Sequence, residues 1–237
     1  MGKFISNALK YYKNSRRVNK LRKQGATIGK NVVISDNCIF DNPQKLKIGD
    51  NVYIGNNFYS NCIGGLTIET GSIISYNCTI MTYNHDYKEE LFMPYGLANV
   101  YREVIIKRHV WIGINVSINS GVIIGENAII GMGTTVPKSI PDGSIYAGGR
   151  IIKEREEKEV KYDLLAVRAP YNPFHLLKFS RKIKKINNTN KEITFNKIKE
   201  QYKDFDCLSM IYRFCENNSN YTADWKNECV KYSKIKK

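Results

Sequence analysis

The residues best suited to chemistry stand together at Tyr83-Asn84-His85-Asp86-Tyr87. An imidazole titrates near neutrality, so His85 can take a proton from an attacking group and later return it. Asn84, Asp86 and Tyr87 surround it with amide, carboxylate and phenol groups suited to a polar substrate. A second stretch follows at Val110-Trp111-Ile112-Gly113, and a third at Gly131-Met132-Gly133-Thr134-Thr135-Val136. The indole of Trp111 offers flat apolar cover to a ligand, and Gly113, Gly131 and Gly133 would let backbone approach it closely. The plainer reading of Trp111 is packing at a corner between subunits. Lys138, Arg150 and Lys153 supply positive charge for phosphate groups.

These groups need a scaffold, and the chain advertises one by a period of six. Ile28, Ile34 and Phe40 begin it, and Ile48, Ile54, Ile68, Ile74 and Ile80 continue it. Ile106, Ile112, Ile118, Ile124, Ile130 and Val136 complete it. Four positions after the aliphatic residue comes a second inward candidate, among them Val32, Cys38, Val52, Ser72, Cys78, Val110, Val116, Val122, Ala128 and Thr134. Such short strands cannot bury their own faces, but stacked coils can. Three hexapeptides make one triangular coil, with Gly or Asn tolerating the turns. A helix would need apolar residues at three and four spacing with few glycines. The expected fold is therefore mainly β, a parallel β-helix over residues 28–150.

The repeat slips near Pro43-Gln44-Lys45 and near Ile63-Gly64-Gly65, both readable as small bulges at prism corners. A longer interruption, 86–103, begins immediately after His85 and must leave the prism as a loop. It offers Asp86, Tyr87, Glu89, Tyr95 and Arg102 to a substrate, with nothing to choose among them. On the amino-terminal side, residues 1–27 read as a basic amphipathic helix with Phe4, Ile5, Ala8, Leu9 and Tyr12 on one face. It is expected to cap the open end of the β-helix; contact with an anionic membrane is the alternative. Residues 151–237 read as a helical C-terminal extension, beginning with a helix over Ile151–Arg168.

The chain has 237 residues and a net charge of +15. That charge lies in the flanks: residues 1–27 hold eight basic and no acidic residues, whereas 28–150 hold nine and ten. No zinc-finger, RRM or homeodomain signature accompanies it, so nucleic acid is not an expected partner. The N-terminus lacks the apolar core of a secretory signal and no stretch approaches a membrane span, which predicts a cytoplasmic protein, at most peripheral to the membrane. The six cysteines show no C-x-x-C pair, and Cys38 and Cys78 fall at inward positions where a thiol is inert. With only His85 and His109 inside the repeats and no ligand spacing around them, no metal site is expected.

The unit aliphatic-Gly-x-x-small-x, together with Asn84-His85-Asp86 at a repeat break and Trp111 beyond it, resembles the hexapeptide-repeat acyltransferases. Within them the match is closest to maltose, galactoside and surface-polysaccharide sugar O-acetyltransferases. The resemblance implies a left-handed coil, acetyl-CoA as acyl donor, and His85 as general base acting on an acceptor hydroxyl. It implies a homotrimer whose sites lie between subunits, with Trp111 along the pantetheine arm and Gly113, Gly131, Gly133 and Thr134 beside it. Two departures leave the nucleotide end open: Pro137-Lys138 stands where relatives have Thr-Lys, and Gly148-Gly149 runs directly into Arg150. N-acetylation of a nucleotide-linked amino sugar and acetylation of an antibiotic remain alternatives. A silent β-helix scaffold is another, although a scaffold has no reason to set His85 beside a long loop.

Overall fold

A two-residue strand presents one side chain inward and one outward, so its stability comes from the strands above and below it. The computed structural model describes residues 2–155, with side chains from residue 9 onward. It shows the six-residue period closing into a three-faced parallel solenoid. On the first face Ile28, Ile48, Ile68, Ile106 and Ile124 stand in register. The second aligns Ile34, Ile54, Ile74, Ile112, Ile130 and Tyr146. The third aligns Phe40, Ser60, Ile80, Ile118 and Val136. All of them are buried, and so is every second inward position named above except Cys38, which is half-buried in the first coil. Burial pushes the Cys62 thiol up to about 11, consistent with a packing role.

The third face contains a local exchange of volume. Ser60 holds a position that is aliphatic or aromatic in the other coils, and Phe58 fills the space instead. Its ring lies 5.1 Å from that of Phe40. Phe58 stands four positions after Ile54, a second inward position of the period, but the room it occupies is visible only once the coils are stacked.

Corners explain the asparagines. Asn37, Asn57, Asn77 and Asn115 all adopt positive φ at one corner, and Gly133 takes the fifth place in that column. A short amide side chain tolerates this conformation and can bond along the stack, as Asn57 Nδ2 does to Asn77 Oδ1 at 2.9 Å. His109 is a turn residue of the same kind, with φ 56 in the column of Asn51 and Asn127.

The helix Gly2–Lys23 meets the first coil through its carboxyl-terminal half. Val18 and Leu21 are buried, as is Asn14, whose amide completes the exposed strand edge. Asn14 Nδ2 donates to Val32 O at 2.9 Å, and Ile34 N donates to Asn14 Oδ1 at 2.8 Å. The side chain thus supplies the donor and acceptor that a preceding coil would have offered. Arg17 and Arg22 donate to the carbonyls of Ile34 and Ile28. These contacts are not made by the apolar stripe named from the sequence: Leu9 and Tyr12 are exposed, while the side chains of Phe4, Ile5 and Ala8 lie outside those described. Among the described residues no helix is long and apolar enough to cross a membrane.

The other end corrects a boundary. Residues 150–154 form a strand, not the start of a helix, pairing antiparallel with Ser144–Ala147. Gly148 and Gly149 both take positive φ, which makes a tight hairpin turn, and β-branched Ile151 and Ile152 suit the returning strand. The remainder of the expected helical extension, 156–237, lies outside the described residues.

Asn14→Ala should lower stability by about 1–3 kcal/mol, since it leaves a buried donor and acceptor at the first coil without partners. A urea midpoint equal to that of the native protein, followed by circular dichroism, would show that the amide does not hold the cap.

Candidate active site

Between Ile80 and Val104 the chain leaves the prism as an antiparallel hairpin, in which Tyr83–His85 pairs with Asn99–Tyr101. Buried Thr82 anchors its base. Thr82 N and Oγ1 both donate to Asn61 Oδ1, at 3.2 and 2.7 Å, and Gly64 N donates to Thr82 Oγ1 at 2.9 Å. Thr82 O accepts from Arg102 N at 2.9 Å, tying the outgoing and returning strands together. Gly64 is required there, because a Cβ would fall 1.9 Å from Thr82 O. Asn61 and Thr82 were not legible as site residues. Their one trace in the sequence is the slip at Ile63-Gly64-Gly65, which lies at the corner from which the hairpin departs.

The hairpin presents His85 against aromatic rings. The imidazole stacks on Tyr95, with centroids 3.9 Å apart and planes inclined by 9°. Tyr83 meets it edge-on at 5.8 Å. Tyr95 is delivered by the folding of the loop on itself, since Asp86 N donates to Ala98 O at 3.1 Å and Gly96 N to Asp86 O at 2.8 Å. Asp86 Oδ1 accepts from Lys88 N at 3.1 Å. Its carboxylate therefore secures the turn of the loop. Asn84 Oδ1 accepts the His85 backbone N–H at 2.9 Å.

A cavity of about 420 Å³ opens beside His85. It brings together Asn84, His85, Asp86 and Tyr87 with Arg102, Asn119, Ser120 and Pro137 from the corner between the third and first faces. Of the residues offered to a substrate, Asn84, Asp86, Tyr87 and Arg102 share this hollow with His85, Glu89 and Tyr95 do not line it, and Asn119 and Ser120 join the set.

The residues expected to meet a cofactor are placed elsewhere. Trp111 points outward from the second face, 52 % exposed, in register with Ile73 and Ile129. Gly113 and Gly131 are explained by coil stacking, because a Cβ would come within 2.6 Å of Met132 N and 2.7 Å of the Ala147 methyl. Gly133 has positive φ and open space around it, so it alone of the three leaves room for a ligand. Thr134 is buried and its carbonyl accepts from Ser117 N. Lys138 follows Pro137 at the corner of the His85 cavity. Arg150 is exposed in the terminal hairpin. None of these lines the cavity. The described residues of one chain do not gather His85 and Trp111 into a single pocket. The two repeat histidines also diverge, His109 lying at the corner between the first and second faces.

Comparison with known proteins places this architecture. The bacterial transferase hexapeptide model (six repeats) matches residues 103–138. A protein of Escherichia coli (strain K12), provisionally named a colanic acid biosynthesis acetyltransferase, is 32 % identical over 141 residues, covering 59 % of this chain and 75 % of that protein. The galactoside O-acetyltransferase of the same organism is 31 % identical over 155 residues, with 62 % and 72 % covered. Among solved structures, a galactoside acetyltransferase in complex with coenzyme A superposes with TM-score 0.55 at 27 % identity, over 65 % of this chain and 80 % of that one. The chain belongs to the hexapeptide-repeat acetyltransferases. It is an enzyme of acyl transfer, as the motif around His85 led us to expect.

Among the described residues the imidazole is held by the stack on Tyr95 and by no carboxylate. Aromatic pairs of this kind contribute about 0.5–1.5 kcal/mol, so Tyr95→Ala should lower turnover in acetyl transfer about 2- to 10-fold, while Tyr95→Phe keeps it. Equal losses in both variants would show that the phenol hydroxyl, and not the ring face, matters.

Proposed function

We propose that this enzyme transfers acetyl from acetyl-CoA to a hydroxyl of a sugar, in the building of a surface polysaccharide or lipopolysaccharide, with His85 as general base. The observation that carries the reading is the imidazole itself, held between Tyr95 and Tyr83 at the mouth of a hollow lined by Asn84, Asp86 and Tyr87. A hollow with this many hydrogen-bonding groups suits a polyol better than an apolar acceptor. Support for the sugar comes from the galactoside and colanic acid acetyltransferases named above. The exposed basic residues Arg16, Lys20 and Lys23 support a place beside an anionic membrane surface.

The steps follow from the groups in the hollow. An imidazole nitrogen of His85 takes the hydroxyl proton as the oxygen attacks the thioester carbonyl. Backbone N–H groups stabilise the tetrahedral oxyanion. The carbon–sulfur bond then breaks, the acetyl remains on the sugar oxygen, and the proton passes from the imidazolium to the CoA thiolate. No covalent enzyme intermediate is required.

Because Trp111 and His85 occupy different sides of the prism, a second copy must supply one of them if both touch the same substrates. This supports a homotrimer in which Trp111, Gly133, Lys138 and Arg150 of one copy face His85 of another. Sedimentation should give three times 27.3 kDa. A monomer with full activity would remove the shared site.

His85→Ala should lower turnover by roughly 10²- to 10⁴-fold with the fold intact, the range for a positioned acid–base group. His109→Ala serves as control and should cost far less, because His109 is a turn residue on another corner. Thiol release from acetyl-CoA, measured against a panel of sugars, reads both. Near-normal turnover in folded His85→Ala would sink the mechanism.

A further inference from the structure

Within the acceptor hollow the side chain of Arg102 has an unusual position. Its backbone is fixed by the bond to Thr82 O at 2.9 Å, at the base of the hairpin. Its aliphatic stem lies along Gly121: a Cβ on that glycine would meet Arg102 Cδ at 3.0 Å and Cβ at 3.2 Å. Gly121 has φ +81. The corner beneath the arginine is thus bare, and the stem occupies what a side chain would otherwise fill. Arg102 thus joins Asn119, Ser120 and His85 in the lining of the hollow.

Among the described residues the Arg102 guanidinium forms no ion pair and its side chain donates no hydrogen bond. Nearby carboxylates are engaged by other groups. Glu103 Oε1 accepts from Thr67 Oγ1 at 2.6 Å, on the first face. Asp86 Oδ1 accepts from Lys88 N, and Glu89 Oε1 accepts from Glu90 N and Leu91 N. The hollow therefore presents a planar five-donor cation, with Lys88 also on its lining and Asp86 as the one carboxylate among the described residues. A guanidinium fork matches the paired oxygens of a phosphate or a carboxylate, and it is costly to leave facing a desolvated ligand that lacks them.

We infer that Arg102 is the anion-recognition residue of the acceptor site, so that the sugar presented to His85 carries a phosphate or a carboxylate. The inference rests on the reading of this hollow as the acceptor site. The anion is held by Arg102 in the hollow that His85 also lines, which leaves a hydroxyl of the same molecule to approach the imidazole. Asn119 and Ser120 add neutral hydrogen bonds to the anion or to the ring.

The test uses the full chain, with glucose 1-phosphate, glucuronic acid and glucose as probes. Binding is measured by calorimetry, and turnover by thiol release with each as acceptor. The native protein should bind at least one anionic probe about 10- to 100-fold more tightly than glucose, and Arg102→Gln should abolish that difference. Arg102→Lys should recover part of it, because charge remains while the fork is lost. Dependence on Arg102 for glucose 1-phosphate identifies phosphate as the source, and for glucuronic acid a carboxylate. In turnover, Arg102→Gln should raise the Michaelis constant for the anionic acceptor and leave that for acetyl-CoA within about threefold. Equal binding of all three probes, or binding of the anions unchanged in Arg102→Gln, would overturn the inference. A rise confined to the acetyl-CoA constant would also overturn it, by assigning Arg102 to the donor phosphates. Binding without turnover on any sugar would leave anion recognition standing and count against the catalytic reading instead.

Discussion

Every coil of this protein depends on its neighbours, because the backbone bonds and inward side chains of a two-residue strand find their partners only one coil away. The Ile68–Ile106–Ile124 stack shows the constraint at its strongest. The chain departs for a long excursion between Ile80 and Val104, yet Leu66, Thr67 and Ile68 pair with Val104, Ile105 and Ile106 with no change of register. Breaking that register would expose one face of every later strand. The excursion must therefore begin and end at a single corner, and the Asn61–Thr82–Arg102 bonds are how the two ends are joined.

The same dependence explains the two ends of the solenoid. An uncovered first coil would leave N–H and C=O groups unpaired and apolar side chains wet. Asn14 answers the first need and Val18 with Leu21 the second. At the far end the strand after Gly148-Gly149 turns back on Ser144–Ala147, so the second face closes with an antiparallel partner instead of another coil.

What could be read in the sequence follows from how local each cause is. The period of six, the inward positions and the protruding loop are repeated or contiguous signals, so the β-helix and the position of His85 were both legible. Three other features were not. Phe58 falls on the period, but its exchange of volume with Ser60 and its packing on Phe40 depend on the neighbouring coil. The cap uses Asn14, Val18 and Leu21, whereas the more conspicuous apolar stripe lay nearer the N-terminus. The expected helix from Ile151 gave way to strand because a pair of left-handed glycines sets a hairpin before any helical preference can act. Within the site, Tyr95 lies ten residues beyond His85 in sequence and reaches it only because Asp86 closes the loop. Glycine was also ambiguous. Gly113 and Gly131 are spaced as a ligand-approach motif would be, but the adjoining coil accounts for both, and the sequence does not distinguish them from Gly133.

This arrangement separates what must stay fixed from what can change. The imidazole enters the site from a hairpin whose strands are pinned at Thr82, while the rest of the hollow's wall comes from rigid corners at Asn119, Ser120 and Pro137. Residues between Asp86 and Ala98 touch the ladder nowhere in its register, so their length and composition can vary without cost to the stacked core. Their constraint is internal: the loop has to return Tyr95 to the face of His85, which requires the Asp86–Gly96 and Asp86–Ala98 bonds. A substitution at Gly96 would strike Glu89 Cβ at 2.4 Å and displace the ring that orients the imidazole. The fold of the loop and the placement of the imidazole are therefore written in the same short segment, and a change in one is felt by the other through Asp86.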